Sequence, residues 1–168
     1  MIGNLVRVSN DELNQFKQNS ELLEEKVYAE DSYDQDWYMD LDKSWEALHY
    51  LMNGKSVAET EMEESQPTVL GRILFTDQLI DDEQDLGYGP AFYLTKEQVA
   101  ETSNELQKID LSELESKYNG SAMNQKGVYP EIWDEPESKG FVIESFNDLR
   151  EFYKKAAELD EAIISFIN

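Results

Sequence analysis

Short apolar runs stand at both ends of this chain, and the apolar positions between them recur mostly at three- and four-residue spacings. Residues 2–8 and 162–167 have the length and the branched residues of strands. In Ser9-Asn-Asp-Glu12 the serine can accept from the first turn of a helix and the glutamate can bond back, so a helix is predicted over residues 10–18. Leu22, Leu23 and Val27 keep helical spacing in residues 21–30, and residues 31–36 read as a loop. A central helix starts after Asp42 and runs to Met52 or Asn53, with Gly54 placed to stop it. Thr95-Lys-Glu-Gln98 is a second capping box, opening a helix to about Lys108, and Asp110-Leu-Ser-Glu113 repeats the device for a helix ending near Asn119 and Gly120.

Other stretches are read from composition. Residues 56–67 hold Glu59, Glu61, Glu63 and Glu64 among few apolar residues and are expected to form a mobile acidic loop. Residues 68–75 fit either a strand or a buried helical turn, because periodicity alone does not separate the two. Residues 81–90 form a loop punctuated by Gly87, Gly89 and Pro90 that enters a short strand at residues 91–94. Residues 140–145 have the length and branched residues of a strand, after which Ser145 caps a helix carrying Phe146, Leu149, Phe152 or Tyr153, and Ala156 on its apolar face. Strands at both ends with packed helices between them predict one α+β domain over residues 1–168, with a mixed or antiparallel sheet.

The segment Asp40-Leu-Asp-Lys-Ser-Trp-Glu-Ala-Leu-His-Tyr-Leu-Met-Asn-Gly54 resembles the signature of the YfbM-like family, small bacterial proteins classed as a domain of unknown function. The opening Met1-Ile-Gly-Asn4, the loop Leu86-Gly-Tyr-Gly-Pro-Ala-Phe-Tyr-Leu94, residues 123–133 with Tyr129-Pro130, and residues 149–157 extend the resemblance over nearly the whole chain. One departure is Asp160, where relatives commonly carry glycine in the turn before the last strand, which leaves the turn type open. The resemblance implies a compact α+β domain and brings no reaction or ligand with it.

Composition narrows the function more than any motif does. The 168 residues include 37 acids against 14 Lys and Arg, a net charge of −23, which repels nucleic-acid phosphates and anionic membrane surfaces. The acids are spread along the chain rather than gathered in a tail, as expected of a solvated surface that keeps a protein soluble and monomeric, or of a face that docks on a basic partner. The chain has no cysteine, which excludes disulfides and thiolate chemistry, and it carries neither a leader pattern nor an apolar run of bilayer length, so a cytoplasmic location is expected. Asn119-Gly-Ser121 fits a glycosylation pattern but reads better as a helix end and turn.

No residue set prescribes a reaction. The single histidine, His49, shares a helix face with Trp45, Leu48 and Met52 and so points inward, either as a core histidine or at a pocket edge paired with Asp40 or Asp42. One histidine without cysteine does not make the usual zinc site, and Ser44 lies on a different helix face from His49. Residues 81–92 miss both the glycine and the final glutamate of a calcium loop, and Gly87-Tyr-Gly89 lacks the third glycine of a dinucleotide fingerprint, so no metal or cofactor is expected. Tyr88, Phe92, Tyr93, Tyr129 and Trp133 cluster near glycine and proline, where aromatic residues either seal a core or line a cleft. A pocket, if formed, is expected between Trp45 and His49 on the helix and the loop of Tyr88, Tyr93, Tyr129 and Trp133. The expectation is a non-enzymatic module of immunity or regulatory kind that engages a protein partner, with a small-molecule pocket or enzyme site at His49 as the alternative.

Overall fold

The computed structural model describes residues 1–62 and 67–168. β1 (Gly3–Val8) and β4 (Ala162–Ile167) form the centre of a four-stranded antiparallel sheet, with β2 (Tyr38–Asp40) and β3 (Phe92–Leu94) at its edges in the order β2-β1-β4-β3. The two ends of the chain pair along six residues, from Gly3 with Ile167 to Val8 with Ala162. Every residue of both strands is buried because helices cover both faces of the sheet.

Strand alternation sends Leu5, Ile163 and Ile167 into one core and Val6, Val8, Ile164 and Phe166 into the other. The second core is closed by Leu13 and Phe16 of α1 (Asn10–Gln18) and by Leu23 and Val27 of α2 (Glu21–Val27). The first and larger core is built by α3 (Ser44–Asn53), α5 (Lys96–Lys108), α6 (Leu111–Lys117), α7 (Gly120–Gln125) and α8 (Ser138–Glu158). A five-residue helix, α4 (Val57–Glu61), packs on α3. Among the described residues no helix is long and apolar enough to cross a membrane.

Local chemistry sets the helix ends. Ser9 Oγ accepts from the Glu12 N–H while the Glu12 carboxylate accepts from the Ser9 N–H, and Thr95 and Gln98 make the same pair of bonds. Asp110 caps α6 by accepting from Ser112 and Glu113. Gly54 ends α3 at φ 75°, a conformation that costs glycine little.

Two segments depart from the sequence reading, and a third is decided between its two alternatives. Residues 140–145 are the first turns of α8, not a strand, and Ser145 is an interior residue whose hydroxyl donates to the Phe141 carbonyl. Buried Val142, Phe146, Leu149, Tyr153 and Ala156 alternate steps of four and three, so the apolar face simply begins one turn earlier than Ser145. Residues 56–61, expected as loop, form α4 under a Ser56–Glu59 capping box, and the rest of that acidic stretch at residues 63–66 lies outside the described residues. Residues 68–75, read as either a strand or a buried helical turn, take the second form as a single 3₁₀ turn, Gly71–Ile73, with Gly71 and Ile73 buried.

Candidate functional site

The sequence-derived residues divide between the two faces of the sheet. Trp45 and His49 lie on α3 in the first core, where Trp45 stacks on Tyr129 at 6.1 Å and meets Phe75 edge-on at 5.9 Å. Trp133, 1% exposed, belongs to the same core and donates its Nε1–H to the Val128 carbonyl at 2.9 Å. Tyr129 is half-buried before a cis peptide bond to Pro130, and its hydroxyl accepts from the Met1 ammonium at 3.0 Å. Tyr93 packs on the opposite core with Lys17 over its ring, and Tyr88 projects into solvent beyond that core. Trp45, Tyr129 and Trp133 thus share the first core, Tyr93 packs on the second, and exposed Tyr88 belongs to neither.

His49 is also separate from the acids proposed for it. Its Nε2 lies 3.1 Å from the Thr60 hydroxyl of α4, and that hydroxyl donates to the Ser56 carbonyl. Asp40 and Asp42 are exposed and engage each other, the Asp40 carboxylate accepting from the Asp42 N–H at 2.6 Å. Burial lowers the His49 pKa to about 4, so the imidazole is neutral near pH 7. Among the described residues no group of three or more His, Asp and Glu side chains is arranged to hold a metal ion.

A different set of aromatic residues gathers at the end of the sheet where Asn4 and Asn168 meet. The Tyr38 hydroxyl donates to Asn4 Oδ1 at 2.9 Å, and Asn4 Nδ2 donates to Asn168 Oδ1 at 3.1 Å. Tyr33 lies against Tyr38 with ring centroids 4.8 Å apart, and Tyr28 donates to the Leu86 carbonyl at 2.8 Å. The loop from Leu86 folds onto the same place, since the Tyr88 N–H donates to Ile167 O. A Cβ on Gly87 would stand 2.9 Å from Asn168 Cα, and its φ of 130° is one a side chain rarely adopts. The result is an exposed group of tyrosines, with Tyr28 50%, Tyr33 53% and Tyr88 65% accessible, Tyr33 being held against buried Tyr38, Tyr28 by the Leu86 carbonyl and Tyr88 by the Ile167 carbonyl.

The surroundings of these rings are acidic. Residues 27–42 contain six acids and no Lys or Arg, and residues 73–95 contain five acids and again no base. Asp85 is held as a carboxylate by the N–H groups of Gly87 and Gly89, which lower its pKa. The Tyr28 pKa is raised, first by burial and then by Tyr33 and Glu24, so its phenol remains protonated. Sequence reasoning found Tyr88 but missed Tyr28 and Tyr33. The pairing of aromatic residues with base-free acidic stretches was the available signal.

A profile of the family described as a domain of unknown function (DUF1877) matches residues 1–166. The chain belongs to the DUF1877 family. Protein YfbM of Escherichia coli (strain K12) is 23% identical over 146 residues, which cover 86% of this chain and 82% of YfbM. The crystal structure of E. coli YfbM, a protein of unknown function, superposes with a TM-score of 0.70 over 98% of both chains at 19% identity. This DUF1877 chain thus shares the YfbM fold, a likeness of architecture that leaves the chemistry to be argued from its own residues.

Proposed function

We propose that this DUF1877 domain is a non-enzymatic binding module whose Tyr28–Tyr33–Tyr88 surface docks a basic protein. The observation that carries this reading is the exposure of three tyrosines on base-free acidic segments. Tyrosine offers large contact area at small entropic cost and anchors many interfaces. Surrounding carboxylates steer and orient a cationic partner, and they disfavour an acidic one. Support also comes from the enclosure of His49, which is 6% exposed.

The test begins with capture at physiological salt and continues with the purified pair. A basic protein bound one to one, weakened about tenfold or more by Tyr33→Ser with Tyr88→Ser and slowed in association by Asp31→Lys with Asp34→Lys, supports the reading. Equal binding by both variants, or a bound partner that is acidic, refutes it.

A further inference from the structure

On the other face of the sheet, α3 and the 3₁₀ turn Gly71–Ile73 enclose a small cavity lined by Leu41, Trp45, Leu48, His49, Met52 and Leu70 among others. Its volume is about 10 Å³, close to the space of one water. Trp45 is 4% exposed, and its indole Nε1–H has no hydrogen-bond partner among the described residues. A buried donor left in this state is costly, which singles it out in a protein whose other tryptophan in this core, Trp133, is bonded.

The cavity has an outer neighbour. A groove of about 320 Å³, lined by Met52, Asn53, Thr68, Val69, Leu70 and Glu105, shares Met52 and Leu70 with it. These two side chains are partly exposed, and methionine, unbranched with three rotatable bonds, yields readily. The shared walls are apolar, and among the described residues no Lys or Arg lines either space. Glu105 of the groove wall already holds Lys108 at 2.7 Å, so an entering anion would find that cation engaged, and the net charge of −23 disfavours it further.

We infer that groove and cavity together bind a small neutral molecule with an apolar body and one hydrogen-bond acceptor, the acceptor taking the Trp45 Nε1–H and Met52 serving as the gate. His49, neutral through burial, adds a polar ring to the same wall without adding charge. None of Tyr28, Tyr33 and Tyr88 lines the groove or the cavity, so this site and the tyrosine surface can each fail without the other.

The test uses the full ¹⁵N-labelled chain at pH 7 with 1-hexanol and, at equal concentration, hexanoate. The Trp45 indole cross-peak is assigned by its loss in Trp45→Phe or, should that variant not fold, by its contacts with the Tyr129 ring. Hexanol is expected to move this peak saturably in the millimolar range, hexanoate to leave it in place, and Leu70→Trp, which fills the mouth, to weaken the response at least about fivefold. A peak that hexanol does not move, one that hexanoate moves equally, or one that keeps its contact with a long-lived internal water at saturating hexanol overturns the inference. The last result would mean that the cavity holds a buried water only.

Discussion

A Cβ placed on Gly3 would lie 2.6 Å from Cβ of Trp45, so the close seating of α3 on β1 depends on a glycine at that point. The same device recurs at Gly120, where a Cβ would lie 2.0 Å from the Trp133 carbonyl oxygen. Trp45 Cβ is fixed by its own backbone, as the Trp133 carbonyl is, so neither clash is relieved by rotation, and the closer approach at Gly120 is the costlier. Gly3→Ala is expected to destabilise by about 2 kcal/mol and Gly120→Ala by about 3 kcal/mol or more, measured by urea unfolding. A smaller loss for Gly120→Ala than for Gly3→Ala would contradict this ordering.

The enclosed histidine makes stability depend on pH. Burial lowers the His49 pKa from 6.5 to about 4, so between these values the unfolded chain binds more protons than the folded one. Stability therefore falls as pH drops from about 6.5 to about 4 and is fully present above that window, the whole effect being about 3 kcal/mol. Urea midpoints at pH 7.5 and pH 5.0 should differ in the parent protein, and the difference should shrink in His49→Gln. An unchanged difference in that variant would assign the slope to carboxylates instead.

Arg7 is a buried cation that joins several elements. Its Nη2 donates to the Asp36 carbonyl at 2.9 Å, its guanidinium lies 3.4 Å from the Asp36 carboxylate and 3.7 Å from Glu161, and Phe152 sits below it at 5.3 Å. Burial raises the Glu161 pKa, and Arg7 opposes that rise. Removing the cation leaves a partly buried carboxylate uncompensated, so Arg7→Met should cost about 3 kcal/mol at pH 7. Adding Glu161→Gln should restore about 1 kcal/mol, a coupling that a double-mutant cycle reads directly. Additive losses would show that the two groups do not interact.

Asp160 closes α8 in a left-handed conformation, φ 55°, with its N–H donating to the Ala157 carbonyl and the next N–H, from Glu161, donating to Ala156. These two bonds form a Schellman cap, whose left-handed position favours glycine. Asp160→Gly should stabilise the protein by about 0.5–1 kcal/mol, read as a higher thermal midpoint. A lower midpoint would mean that the aspartate side chain contributes more than its backbone strain costs.

Whatever depends on neighbours a few residues away could be read from the sequence: the caps at Ser9, Thr95 and Asp110, the stop at Gly54, and the pairing-length strands at both ends. These follow because a helix terminus is satisfied by side chains within one turn of it. Residues 140–145 were misread because Phe141, Val142 and Ile143 suit a strand as well as a buried helical turn. Packing of α8 on α5 and α3 decided between them. For the candidate site, the inward face of Trp45 and His49 was legible from helical spacing, but the packing of Tyr93 on the opposite core was not. Which face of the sheet each loop returns to is set by long-range strand order, and the gathering of Tyr28, Tyr33 and Tyr88 around Asn168 exists only once β1 and β4 have paired.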